Sequence, residues 1–262
     1  MNSIGVKIRK EFIVVFKFIM AFGFWKWFFI YLKFKLKSPQ TFKVPGIRFP
    51  FKLRSELSDR RVFYELFVDL DMRFLEQIKT PAIIIDGGAN IGLNAIICKN
   101  KFPEAKIICV EPDDQNIQLL KQNILFYNNI SVEQAGLWNK DIDLKVSDKY
   151  GLGKSGLVVE EVNENGNVKG MTITSIMKKY GIVTIDLLKL DIETSERYLF
   201  ADHYQEWLPH TKVVLIELHD RMVRGCSKAF FEAINKTFNN YSLSQYGAYT
   251  LIVNHDLEIP SS

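Results

Sequence analysis

Residues 83–98 read IIIDGGANIGLNAIIC, and this stretch decides the fold. Ile83-Ile84-Ile85 is a short, continuous β-branched run, the pattern of a parallel strand covered on both faces. It ends in Asp86, turns through Gly87, Gly88, Asn90 and Gly92, and passes into the apolar stretch Leu93–Cys98. Strand, glycine turn and helix in that order form the ligand-binding corner of an open α/β sheet. The acid separates two cofactor classes. A dinucleotide lays its pyrophosphate against such a loop, and a carboxylate there repels it. S-adenosylmethionine has no phosphate, and its ammonium and sulfonium are favoured by an acid at this edge. The spacing also departs from GxGxxG, because Ala89 takes the central place counted from Gly87. Asp86, Gly87, Gly88, Asn90 and Gly92 are the candidate cofactor-binding residues.

Downstream the alternation repeats. Ile107–Val110 is a second buried strand closed by Glu111, which stands 25 residues after Asp86 and is placed to accept hydrogen bonds from ribose hydroxyls. Asp113 or Asp114 can cap a helix with apolar positions at Ile117, Leu120, Ile124 and Tyr127. Ile130–Glu133 reads as a third strand, NKDIDLKV and GLVVEEV as weaker strands, and ENGN as a turn. Ile185–Leu190 and Val213–Leu218 are further buried strands around a helix near Glu196–Trp207. Ser227–Phe238 is a last amphipathic helix before strands near Tyr241 and Tyr249. Repeated βα units imply a doubly wound, mainly parallel Rossmann-like α/β sheet with right-handed crossovers.

Upstream the chain changes character. Residues 1–54 hold twelve Lys or Arg against the single acid Glu11, a net +11, so residues 55–262 carry −7 of the total +4. The expected division is a basic, aromatic-rich arm and connector over 1–54 and one catalytic domain over 55–262. From Phe12 to Phe34 the arm reads FIVVFKFIMAFGFWKWFFIYLKF. Lys17, Lys26 and Lys33 interrupt any spanning window, and Tyr31-Leu32-Lys33-Phe34 offers no signal cleavage site. A helix lying in a membrane interface and an arm packed on the body both fit. Ser58-Asp59 offers an N-cap, and Phe63, Leu66, Phe67, Leu70, Phe74 and Ile78 recur at helical spacing before Thr80-Pro81. Cys98, Cys109 and Cys226 form no CxxC pair, which suggests buried thiols in a reducing compartment.

IIIDGGANIGLNAI, IICVEPDDQNIQLLKQN, Ala135-Gly-Leu-Trp-Asn139 and DLLKLDIETSE together resemble the FkbM family of methyltransferases. Leu53-Arg54 followed by Leu57-Ser58-Asp59 is similar to that family's arginine and Ser-Asp lead-in, and the resemblance covers roughly residues 45–255. It implies the class I methyltransferase fold and methyl transfer from S-adenosylmethionine to a hydroxyl oxygen, often on a sugar, glycan or secondary metabolite. One departure stands out: the family's Gly-Ala-Glu after Asp-x-Glu is here Thr194-Ser195-Glu196. If that glycine adopts a conformation closed to threonine, the loop must be remodelled.

Methyl transfer from a sulfonium is an in-line displacement, which positioning can accelerate and a base or metal can assist. Lys189, Asp191 and Glu193 are two apart at one strand end, and Glu217 and His219 are two apart at the next. The candidate catalytic residues are Asp191, Glu193, His219 and Lys189. Groups of this type also suit a divalent cation, whose use the sequence leaves open. His203, His210 and His255 read as surface residues, and Asp220 points away from His219. The expected partners are a small-molecule or glycan acceptor and an anionic membrane surface met by residues 1–40. The expected location is cytoplasmic, at the inner face of a membrane. Two other readings remain: a methyltransferase of nucleic acid or protein, and a membrane-tethered cofactor binder with degenerate catalysis. Bulky apolar residues between the arm's lysines, and no Asn-Pro-Pro-Tyr type motif, weigh against nucleic acid. Asp86 weighs against an NAD-dependent oxidoreductase.

Overall fold

The computed structural model describes residues 3–69, 72–162 and 164–257. The chain opens with α1 (Ser3–Phe22) and α2 (Phe24–Lys35), bent by 120° at Gly23. Gly23 has φ 78, a left-handed value that glycine adopts without a Cβ clash. No single helix among the described residues is long and apolar enough to cross a membrane, and these two reach that length only as a bent pair. Their inner side packs on the body: Phe18, Phe22 and Phe34 meet the ring of Phe63 with centroids 6.2, 6.0 and 5.5 Å away. Their outer side exposes Met20, Phe24, Trp25, Phe29 and Leu32.

The proline-rich connector forms an antiparallel pair, β1 (Gln40–Phe42) and β2 (Phe51–Leu53). α3 (Leu57–Tyr64) follows, and here the structure departs from the expected helix. It passes into a π-helical turn at Glu65–Asp69 and a 3-10 helix at Met72–Gln77; Leu70 lies outside the described residues. The wider π turn keeps Leu66 buried while Glu65 reaches the cavity described below. Ser58 and Asp59 do not cap this helix, whose N-cap is Glu56. Asp59 is buried and its carboxylate is taken by Arg54, at 2.7 Å from Nη2.

The remaining elements are β3 (Ile83–Gly87), α4 (Leu93–Lys101), β4 (Lys106–Glu111), α5 (Asp114–Asn123), β5 (Ile130–Leu137), β6 (Asp143–Ser147), β7 (Val158–Glu161), β8 (Val168–Met171), α6 (Ile173–Tyr180), β9 (Leu187–Leu190), α7 (Glu196–Leu199), β10 (Val213–Glu217), α8 (Cys226–Thr237), β11 (Tyr241–Tyr246) and β12 (Tyr249–Asn254). Their ten strands form one sheet in the order β11-β12-β10-β9-β3-β4-β5-β8-β6-β7. The six strands from β10 to β8 run parallel, and antiparallel strands close both flanks. This is a doubly wound α/β fold of the Rossmann-like type. Strand alternation divides its core. Ile84, Ile107 and Leu187 face α3, α4 and α5, whereas Ile85, Ile108 and Leu188 face α6 and α8.

Three further elements differ from expectation. α5 ends at Asn123, so Ile124 and Tyr127 lie beyond its last turn. β8 pairs with β5 although its sequence, VKGM, carries little strand signal. The helix expected over Glu196–Trp207 stops at Leu199 and gives way to short 3-10 turns, with His203 at φ 57 and Pro209 inside the second turn. A left-handed residue ends α-helical propagation, and Pro209 limits the chain to a short turn.

Candidate functional site

The chain lays β4 and β5 on one side of β3, then returns to place β9 and β10 on the other. Such a reversal leaves a crevice at the carboxyl ends of the central strands. Here it opens into a cavity of about 420 Å³, whose walls include Gly88, Asn90, Glu111, Lys189, Asp191 and Glu217. That volume suits a small organic ligand.

At the end formed by β3 and β4, Gly88 has φ 71, and a Cβ there would stand 1.8 Å from the Asp191 carbonyl oxygen. Only glycine lets the turn after β3 lie this close to the loop after β9. Asn90, at φ 50, donates its backbone N–H to Glu111 Oε2 at 2.8 Å. Glu111 Oε1 accepts from the Asp113 N–H and Asn116 Nδ2, both at 3.1 Å. Burial outweighs these three bonds and lifts the Glu111 carboxyl to about 7. Asn116 also accepts from Arg54 Nη2 at 2.8 Å, which ties the end of β2 to the Glu111 side of the cavity. Asn94 lines the cavity with its Nδ2 buried and without a hydrogen-bond partner among the described residues.

At the end formed by β9 and β10, acids gather around one imidazole. His219 is fully buried, and its Nδ1 stands 2.8 Å from Oε1 of the equally buried Glu196. Its Nε2 faces Glu193 Oε2 at 3.4 Å, and Asp191 Oδ1 and Glu217 Oε1 each at 3.7 Å. Burial disfavours charge on the ring, but Glu196 and the neighbouring acids prevail and raise its pKa to about 9. Burial and then Asp191 push the Glu193 carboxyl up to about 8. Tyr249 donates its hydroxyl to Asp191 Oδ2 at 2.9 Å, and Arg221 binds Glu217 at 3.1 Å.

The family's sequence pattern, the methyltransferase FkbM domain, matches residues 86–245 and so covers the cavity's glycine turn and both acidic strand ends. The chain belongs to the FkbM methyltransferase family. It is 27% identical over 197 residues to the methyltransferase sdnD of Sordaria araneosa, covering 62% of this chain and 76% of that protein. Among solved structures it is similar to an FkbM methyltransferase from Methylobacillus flagellatus KT, with 15% identity and TM-score 0.44, over 66% of this chain and 44% of that one. It is also similar to an O-methyltransferase from Bacillus cereus in complex with SAH, with 11% identity and TM-score 0.43, over 70% and 78% of the two chains.

The FkbM domain thus brings Gly88, Asn90, Glu111, Lys189, Asp191 and Glu193 to one cavity, with His219 directly behind the acids. It does not bring Asp86, Gly87 or Gly92 to the wall. Asp86 is fully buried and stands 3.4 Å from the Lys189 ammonium. Gly87 accepts the Asp191 N–H at 3.0 Å, and Gly92, at φ 83, is the N-cap of α4. Lys189 also donates to the Gly88 carbonyl at 3.0 Å, so it clamps β3 to β9 beneath the cavity. His203, His210 and His255 are not cavity residues, and Asp220 accepts from the Gly225 and Ser227 N–H groups at 3.0 and 2.8 Å.

Sequence reasoning missed Glu65, Tyr249, Glu196 and Asn94. Glu65 lines the cavity, and burial, then Asp191 and Glu217, lift its carboxyl to about 7. Its helical repeat marked only the apolar face. Glu196 carried one signal, its place at the end of the Thr194-Ser195-Glu196 stretch that stands for the family's Gly-Ala-Glu. The Thr194 loop is not remodelled to suit threonine. Thr194 holds φ 81 and follows Glu193 at φ 46, so two non-glycine residues stand in the left-handed region.

Proposed function

We propose that this methyltransferase moves the methyl group of S-adenosylmethionine to a hydroxyl oxygen of a small molecule or glycan. The supporting observation is one cavity with Glu111 at one end and an acid–histidine cluster at the other. The residues fit that cofactor. Glu111 would hold the ribose hydroxyls, Val110, Pro112 and Leu137 give an apolar wall for the base, and the Gly88–Asn90 backbone with Asn94 would hold the amino-acid end. Among the described residues, the lysines near the glycine turn are already engaged, Lys189 by Asp86 and the Gly88 carbonyl and Lys154 by Asp113. When bound, the cofactor supplies an electrophilic methyl group on sulfur. The acceptor hydroxyl must then lose its proton as its oxygen bonds to that carbon. Glu193 Oε2 is the group we assign to receive it, because it is buried, lines the cavity and has no hydrogen-bond partner among the described residues. Asp191 and Glu217 orient the acceptor beside it.

Calorimetry with S-adenosylhomocysteine tests this reading. Binding is expected in wild type, and Glu111→Ala should weaken it by about 1.5–3 kcal/mol, roughly 10- to 150-fold. Affinity should also fall as pH drops through about 7, where the Glu111 carboxyl takes up a proton and becomes a poorer acceptor. No binding, or preference for NAD, would sink the reading.

We place the enzyme on an anionic membrane surface. The arm's inner aromatic side is used by the body, but Met20, Phe24, Trp25, Phe29 and Leu32 remain exposed on a segment with the +11 charge. Apolar side chains among lysines suit the interface of an anionic leaflet.

A further inference from the structure

The acid–histidine cluster leaves buried polar atoms without partners. His219 Nε2 is fully buried and accepts or donates no hydrogen bond among the described residues, and Glu193 Oε2 is in the same position. The Glu196 carboxylate on Nδ1 fixes that nitrogen as an N–H, so whatever answers the acids ahead of the ring must sit at Nε2. A proton there leaves gaps of 3.4–3.7 Å to Glu193, Asp191 and Glu217 and completes no hydrogen bond among the described residues, whereas a divalent ion in its place would be held by the Nε2 lone pair and the acid oxygens together.

The surrounding charges are unbalanced as well. Asp191, Glu193, Glu196 and Glu217 all crowd on this ring. Among the described residues Arg221 reaches only Glu217, from the rim, and Lys189 stands 3.8 Å from Asp191 but nearer to Asp86. Tyr249 occupies Asp191 Oδ2 and leaves Oδ1 turned toward His219.

We infer that Asp191, Glu217 and His219 form a divalent-cation site, with Glu196 as the positioning residue that aims His219 Nε2 at the ion. Their ligand atoms already lie within 4.8 Å of one another. Ligands about 2.1 Å from one ion stand about 3 Å apart when cis, so the 3.7 Å separations close with shifts of under about 1 Å. A carboxylate behind a metal-binding histidine is the usual way such a ring is oriented. One imidazole with two carboxylates suits Mn²⁺, Fe²⁺, Zn²⁺ or Mg²⁺. The ion would open toward the cavity, where Asp191 and Glu217 form the wall, and polarise an acceptor oxygen there.

The inference shares its site with the proposed reaction, but its test needs neither cofactor nor acceptor. Full-length protein stripped with chelator is titrated with Mn²⁺ alone and followed by electron paramagnetic resonance. One saturable Mn²⁺ per chain is expected, displaced by Zn²⁺ or Mg²⁺. His219→Gln and Glu217→Gln should each weaken it at least tenfold, and Glu196→Gln by about 10- to 100-fold. Arg221→Ala should tighten it, since it removes a competing charge that a merely structural role would not register. Unfolding curves without metal identify any variant that fails to fold, and the remaining variants then carry the test. No saturable Mn²⁺, or binding that ignores both His219→Gln and Glu217→Gln, overturns the site and leaves a proton on Nε2. S-adenosylhomocysteine binding would be untouched by that failure.

Discussion

Replacing Lys189 with methionine isolates the buried ion pair that clamps the glycine turn to β9. Asp86 is fully buried, neither of its oxygens accepts a hydrogen bond among the described residues, and the Lys189 ammonium stands 3.4 Å from Oδ1. Coulomb attraction across that gap is about 5 kcal/mol at an effective dielectric constant of about 20. Methionine keeps most of the lysine stem, so the change reports charge more than volume. Removing one partner of a buried pair costs about 3–5 kcal/mol, because the other charge is left in a poorly polarisable interior. Denaturant unfolding at neutral pH should show a loss of that size for Lys189→Met. Adding Asp86→Asn should return at least about 2 kcal/mol of it, since the stranded charge is then gone. Lys189→Met within about 1 kcal/mol of wild type, or strictly additive effects in the double variant, would refute the clamp.

Thr194→Gly should raise stability by about 0.5–1 kcal/mol, because left-handed backbone costs an L-residue about 1–2 kcal/mol and glycine's own chain entropy offsets part of the gain. Thermal unfolding would show a rise of about 1–4 °C, and a fall would mean the loop stores no strain at Thr194. Replacing the exposed Met20, Trp25 and Phe29 with serine should abolish co-sedimentation with anionic liposomes while leaving the melting temperature within about 2 °C. Unchanged sedimentation would assign the exposed row to another partner, with duplex DNA and RNA as controls.

The central sheet was legible because its signals are local. Ile83–Ile85, Ile107–Val110 and Val213–Ile216 are runs that only a doubly covered strand buries, and each became one. The segments that misled reading are those whose form is set by distant contacts. α3 looked like the start of one long helix, yet its continuation winds into a π turn at Glu65–Asp69. Helical periodicity records which residues face the core and says nothing of how tightly the backbone is wound between them. β8 is a strand because β5 and β6 offer it open edges, not because VKGM favours extension.

Within the site, the same alternation explains both the success and the misplacement. Lys189 lies on β9 and Asp191 just past its end two residues on, and parallel register sets Lys189 against Asp86 and Leu215, so Glu217 follows on the same side. That convergence was readable from a period of two. Asp86 obeys the same period, two residues after Ile84, whose side chain packs with α4. It therefore points down into the core beside Lys189 and not outward from the strand end, and an acid at the tip of a strand need not touch what binds there. Its charge still matters to the cavity. By engaging Lys189, Asp86 keeps that ammonium from neutralising Asp191, and Asp191 is thereby left as an open acid facing His219.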